Sequence, residues 1–119
     1  YTLRGICKVQ QGDLDAALAD FARVVELKPR DARAYLNRAG AFLQKGNPRA
    51  AIEDLDRAIE IAPRQYILYM NRGLARNALA EWKPASEDLQ KALDLAPPNW
   101  RYRSKATELL QRALQELGQ

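Results

Sequence analysis

The sequence contains no histidine, a single cysteine (Cys7) and a single methionine, and aromatic residues make up only 8% of its 119 residues. Each shortage excludes a class of function. Without histidine, and with one thiol, a zinc site of the usual ligands cannot be assembled. The commonest general base of active sites is also missing. The hydroxyls are few, Thr2, Ser86, Ser104 and Thr107, and none stands beside a base, so Ser/His/Asp and Cys/His nucleophile systems are ruled out. No glycine-rich phosphate loop is present. The chain therefore reads as a non-enzyme with no catalytic residue, no metal and no cofactor.

One cysteine cannot form an internal disulfide, which allows a reducing compartment and tilts the expected location toward the cytoplasm. Cys7 lies in an apolar helical stretch and reads as a small buried filler rather than a reactive thiol. No apolar run approaches the roughly 18 residues of a membrane span, and no secretory signal opens the chain. Tyr1 already sits inside a helical pattern, so the sequence reads as a piece of a longer array.

What is present is an ordinary soluble mixture, 47% hydrophobic and 29% charged. Ala, Leu, Arg, Glu and Gln dominate, and these are good helix formers. The net charge of +4 is mild and its basic residues are scattered. With the tyrosines at packing positions rather than on an open platform, no nucleic acid is expected.

The strongest signal is a period. Pro29, Pro63 and Pro97 are 34 residues apart, and the same step relates Tyr1, Tyr35 and Tyr69; Arg4, Arg38 and Arg72; Ala17, Ala51 and Ala85; and Asp20, Asp54 and Asp88. Each unit reads as two helices. The first helices are expected at about 1–11, 31–45 and 65–79, and the second at about 14–27, 48–61 and 82–95. Gly12-Asp13, Gly46-Asn47-Pro48 and the weaker Ala80-Glu81 mark the turns inside each unit. Asp13 and Asn47 suit N-caps, and Pro48 suits the first helical position, where a missing N–H costs nothing. The closing prolines end each second helix, because the residue before proline avoids the helical region. Asp31 and Asn99 are then placed to cap the helices that follow.

This step and its residue pattern resemble the tetratricopeptide repeat. With the closing proline as repeat position 32, the fourth position is Tyr1, Tyr35 and Tyr69, and the small eighth is Gly5, Ala39 and Gly73. The small twentieth is Ala17, Ala51 and Ala85, the large twenty-fourth is Phe21, Leu55 and Leu89, and the twenty-seventh is Val24, Ala58 and Ala92. Two positions depart from the family. The eleventh, usually aromatic, is Phe42 in the second repeat but Lys8 and Arg76 in the others, and the seventh is arginine throughout instead of leucine. The resemblance implies an all-α fold, a right-handed superhelical solenoid of antiparallel helix pairs. It would comprise one domain over 1–119, with repeats at 1–31 (lacking its opening positions), 32–65 and 66–99 and a C-terminal capping helix at 99–117.

Arg4 and Asp20, Arg38 and Asp54, and Arg72 and Asp88 recur at a fixed separation of 16. In an antiparallel hairpin these residues stand at similar heights, which predicts a salt bridge across each hairpin. Such a pair sets register more than net stability. Further carboxylates are expected to pair along helices, as Arg57 with Glu60 and Glu87 with Lys91.

On the first helix of each repeat, the side turned away from the second helix should be charged in a globular protein. Here it carries Leu3, Ile6, Val9, Leu36, Leu43, Ile67, Met70, Leu74 and Ala78. Those not used in stacking would form an exposed apolar strip, which usually marks an interaction surface. In the tetratricopeptide family this side lines a concave groove that holds peptides or helices of another protein. Asn37 and Asn71 lie at its sixth position, one repeat apart. The family uses such asparagines to bond the backbone of a bound peptide, since the amide both donates and accepts. The alternative is that they solvate the wall or bond locally. Arg33, Arg101 and Lys105 fall on the same side and read either as solvated charge or as a preference for an acidic ligand.

One subgroup of the family grips a C-terminal carboxylate with Lys and Asn in its first repeat, Asn in the second, and Lys and Arg in the third. Only Asn37 matches. Thr2 and Ile6, and Ile67 and Asn71, occupy the other positions, so no such clamp is expected. The last helix places Leu109, Leu110, Ala113, Leu114 and Leu117 on one stripe. It reads as a solvating cap, or as a surface for a partner or a second copy of the chain. The function implied is a peptide-binding adaptor, with a structural or self-assembling spacer as the alternative.

Overall fold

The computed structural model of the protein describes residues 5–6 and 12–118. The expectations placed on Tyr1, Thr2, Leu3, Arg4, Cys7, Lys8 and Val9 lie outside these residues. The described part is built of helices and turns: α1 (Leu14–Leu27), α2 (Ala32–Lys45), α3 (Pro48–Ile61), α4 (Tyr66–Ala78), α5 (Trp82–Leu95) and α6 (Arg103–Leu117). Gly5 and Ile6 are also helical. Among the described residues, no helix is long and apolar enough to cross a membrane.

The helix starts follow local chemistry. The Asp13 carboxylate accepts from the Ala16 N–H at 3.2 Å and the Asn47 carbonyl from the Ala50 N–H at 3.3 Å, and each satisfies a donor that the first turn leaves unpaired. Asp31 accepts from the Arg33 N–H at 3.0 Å. Pro48 is the first residue of α3. The turns inside the repeats share one geometry. Gly12, Gly46 and Ala80, 34 residues apart, all have positive φ: 83°, 84° and 59°. At Gly46, the Asn47 N–H reaches back to the Phe42 carbonyl at 2.8 Å; one repeat later, Glu81 reaches Arg76 at 2.9 Å. These are the left-handed C-cap bonds that close a helix.

The chain divides into two compact units, Tyr1–Pro63 and Arg64–Gln119. In the first, α1 packs on α2 through Ala17, Phe21 and Ala41, and α2 pairs with α3 around the fully buried Ala39, Ala51, Leu55 and Ala58. Small residues let the helix axes come close while Phe21 and Leu55 fill the space beside them. At Gly5 a Cβ would lie 2.6 Å from the Phe21 ring, so the ring occupies the room that glycine leaves.

In the second unit α4 pairs with α5, with Ala85, Leu89 and Ala92 buried between them. The approach is tightest at Gly73, where a Cβ would stand 2.7 Å from Leu89 Cγ. Helix α6 lies across α5 and touches α4. It starts at Arg103, later than a cap at Asn99 would place it. The chain first makes turns from Pro97 to Trp100 and from Trp100 to Arg103, each closed by a backbone bond of 3.1 Å. The buried Trp100 indole packs edge-on against Tyr66 at 5.0 Å, and this contact holds residues 97–102 out of the helix. Two polar contacts then fix α6. Arg103 Nη2 donates to the Leu93 and Ala96 carbonyls at 3.1 and 3.2 Å, and Asn77 Nδ2 donates to the Leu109 carbonyl at 3.2 Å. The arginine puts positive charge at the negative end of α5.

Candidate functional site

The α2–α3 and α4–α5 hairpins are each clasped by a buried carboxylate. In the first unit Arg38 Nε and Nη2 donate to Asp54 Oδ2 and Oδ1 at 2.9 and 2.7 Å. In the second, Arg72 makes the same bidentate contact with Asp88 at 2.9 and 2.8 Å. Both aspartates are buried. The planar guanidinium matches two carboxylate oxygens at once, which fixes the height of one helix against the other. Hydrogen bonding to Asp54 raises the Arg38 guanidinium above its ordinary value, against the opposing effect of burial. A raised basic group contributes stability below its unfolded value and loses it only as pH climbs through the folded one. For arginine that window lies far above neutrality, so the clasp is not a physiological switch. Asp20 is buried like its two equivalents; its expected partner Arg4 lies outside the described residues.

The second hairpin adds a cation that sequence pattern did not pair. Arg76 Nη1 donates to Asp88 Oδ2 at 2.7 Å, so Asp88 serves two arginines. Arg76 replaces the aromatic residue usual at its position and lies one turn after Arg72 on the same helix face, and that spacing was the available signal. Tyr35 and Tyr69 stack beneath the clasping arginines, with Arg38 6.0 Å and Arg72 5.7 Å from the ring centres. Tyr35 also donates to the Pro29 carbonyl at 2.9 Å, tying it to the preceding turn. Both oxygens of Asp54 and of Asp88 are engaged by arginines of the same hairpin, so these carboxylates serve the hairpins. Along the helix surfaces Arg57 pairs with Glu60 at 2.9 Å. The expected Glu87–Lys91 pair does not form, and Gln90 instead donates to Asp94 at 2.9 Å.

The faces turned away from the clasps are different. In the first unit Arg33 is exposed, Leu36, Asn37 and Leu43 are half-buried, and Ile6 is 37% exposed. The Asn37 side chain makes no hydrogen bond to another described residue. In the second unit Ile67, Met70, Asn71 and Leu74 follow the i, i+3, i+4, i+7 spacing of one helix face. Ile67, Met70 and Asn71 are half-buried and Leu74 is 36% exposed. Asn71 Nδ2 donates to the Ile67 carbonyl at 2.8 Å. This local bond ties the amide to its own helix through one of its donors. Arg101 is exposed in the turn anchored by Trp100, its guanidinium 5.4 Å from the Tyr102 ring centre. Lys105 is exposed in the first turn of α6. Within the second unit an apolar strip with one amide set into it thus lies on α4, with two exposed cations on the neighbouring segment.

Comparison with known proteins places this geometry. A tetratricopeptide repeat family model matches residues 3–66 and 41–99. A search of the curated proteins found no significant match. Among solved structures, the first such domain of Spaghetti (RPAP3), bound to the HSP90 peptide SRMEEVD, is 26% identical with a TM-score of 0.91. That alignment covers 99% of this chain and 90% of that one. The TPR2B domain of yeast Sti1, in a pHsp70 complex, is 28% identical with a TM-score of 0.90, covering 96% and 93%. The second domain of human RPAP3, in complex with the HSP70 peptide SGPTIEEVD, is 25% identical with a TM-score of 0.84, covering 93% and 89%. The 34-residue step, the repeated hairpin clasps, the family match over most of the chain and the shared all-α fold agree: the chain belongs to the tetratricopeptide repeat family.

Proposed function

We propose that this chain is a non-catalytic protein–protein interaction module that holds a peptide or helix of another protein against the free face of α4, with the free face of α2 a candidate surface of the same kind. One observation carries the reading: on α4 an asparagine amide, fixed by its own helix, is set among Ile67, Met70 and Leu74. Apolar side chains of a partner segment would bury against the strip. The Asn71 oxygen would accept a backbone N–H, and Asn37 on α2 is able to do the same for a segment lying there. Two of the related domains named above, those of RPAP3, were solved with HSP90 and HSP70 peptides ending in EEVD, which supports peptide binding as the mode. This chain carries Ile67 and Asn71 where the carboxylate-gripping subgroup has Lys and Arg. We therefore assign it an internal, apolar-anchored segment rather than a chain terminus, with Arg101 and Lys105 favouring acidic residues in a segment on the second unit and Arg33 favouring them in one on α2. A cytoplasmic location agrees with this role.

The test begins with random peptides selected on the immobilised chain. Selected peptides should be titrated against the wild type, Asn37→Ala/Asn71→Ala and Leu74→Glu. Both variants should bind at least about tenfold more weakly, and amidating the peptide C-terminus should change affinity by less than about twofold. Undiminished binding by both variants would sink the proposal, and a large loss on amidation would restore the terminal clamp.

A further inference from the structure

Most of the glycines have a local reason to lack a side chain. Gly12 and Gly46 hold positive φ, Gly5 and Gly73 leave the room that Phe21 and Leu89 fill, and Gly118 ends α6. Gly40 has none of these reasons. It lies in the middle of α2, its φ is not positive, and a Cβ built on it would meet no atom of a described residue within 4 Å. Glycine weakens a helix relative to alanine, because it orders a freer chain. At Gly40 the helix bears that loss without a packing contact that requires it. A bare backbone at the surface of a helix lets another molecule approach closely. The residues around Gly40 make this point a socket. At 100° per residue, Leu36 and Leu43 stand one turn before and after it on one side, about 40–60° away, and Asn37 and Gln44 do so on the other. Leu36, Asn37 and Leu43 are half-buried and Gln44 is exposed. Gly40 is thus the low point between two aliphatic side chains and two amides. Arg33, exposed, lies on the same line of the helix, two turns earlier.

We propose that this socket receives an aromatic side chain of an extended partner segment that carries an acidic residue three places away. The inference rests on the reading of the free face of α2 as a binding surface, and it names what that surface takes. A flat ring over Gly40 touches the helix backbone itself. Its body lies against Leu36 and Leu43, and its electropositive edge meets the amide oxygens of Asn37 and Gln44. An aliphatic side chain would leave both amides facing carbon, and a small one would leave the socket unfilled. The segment is extended because the Asn37 amide needs backbone N–H and C=O groups to meet, and a helix has already used its own. Arg33 sets the second requirement. Three residues of extended chain span about 10 Å, the same length as the seven helical residues from Arg33 to Gly40 at about 1.5 Å each. An acidic residue three places from the ring therefore reaches the Arg33 guanidinium, its complement in charge. Relief of crowding does not account for the glycine, since no atom of a described residue stands where its Cβ would be.

Peptides selected from a random library on the immobilised wild type, then screened on Gly40→Leu, test this. Those lost on the variant should share an aromatic residue with Asp or Glu three positions away. Titrated with such a peptide, Gly40→Ala should bind about threefold and Gly40→Leu at least about tenfold more weakly than the wild type. Both variants should melt at or above the wild-type temperature, because alanine and leucine favour the helix. Changing the peptide's aromatic residue to alanine should abolish the difference between wild type and Gly40→Leu. Arg33→Glu should weaken the acidic peptide but not its neutral amide counterpart. A lowered melting temperature in Gly40→Ala overturns the proposal, since the glycine would then serve the fold. So do lost peptides without the pattern, and equal binding by wild type and Gly40→Leu. Equal binding together with a loss in Asn37→Ala/Asn71→Ala removes the socket and leaves the binding surface standing; a wild type that selects no peptide removes both.

Discussion

The contrast between Ala39 and Gly73 shows how a single side chain sets the closeness of a hairpin. They occupy the same repeat position, and both are buried. Around Ala39 the fold accommodates a methyl. At Gly73 a methyl would stand 2.7 Å from the branch carbon of Leu89, which the backbone of α5 holds nearly in place, and 3.3 Å from the Ala85 carbonyl. Two effects oppose each other in Gly73→Ala. Alanine favours the helix by about 1 kcal/mol, but overpacking costs about 1–3 kcal/mol. The contact is with a branch carbon and a backbone oxygen rather than a flexible side-chain end, so overpacking wins. Gly73→Ala should therefore lower stability by roughly 1 kcal/mol in urea unfolding. A stabilised variant would show that α4 and α5 part more easily than this packing allows. Asp88 belongs to the same scale: with Arg72 and Arg76 both bonded to it, its removal would leave two cations without their shared partner.

Among the elements, the turn that ends α4 stands out. Its geometry is that of the turns at Gly12 and Gly46, but Ala80 holds the left-handed position at φ 59°. A residue with a Cβ is less stable there by roughly 1–2 kcal/mol, while glycine forfeits part of that through its freer unfolded chain. Ala80→Gly should raise stability by about 1 kcal/mol, and Gly46→Ala should lower it by a similar amount. Thermal melts of the two variants check the pair; equal and opposite shifts are expected, and a destabilised Ala80→Gly would contradict the assigned conformation. Helix α6 makes the complementary point. Its start is set by the Trp100–Tyr66 packing and by Arg103 on the α5 carbonyls, so the element is positioned by contacts outside itself.

For the whole molecule, the repeat keeps contacts short in sequence. The clasps close over 16 residues, and Asn77 reaches Leu109 across 32. Little chain has to be ordered before a contact forms, so the chain should refold in microseconds to milliseconds, as helical proteins of low contact order do. Stopped-flow refolding should find the main phase nearly complete within the dead time. A dominant phase of seconds would indicate that long-range ordering limits folding. Stability in such arrays is approximately a sum over units and their neighbours.

Much of this was readable in the chain itself. The 34-residue period, α1, α3 and α5 with their caps at Asp13 and Asn47, and the 16-residue spacing of arginine and aspartate depend on neighbours within one hairpin, and sequence spacing fixes those neighbours. Other features required the folded chain. Arg76 joins Asp88, Asn71 turns its amide to Ile67, and Trp100 delays α6 by burying itself on Tyr66. Leu114 and Leu117 likewise stand exposed while Ala106 and Ala113 of the same helix are buried. A periodic pattern says which face of a helix is apolar. Only the packed helices decide which part of that face is covered and which polar atom finds its partner nearest.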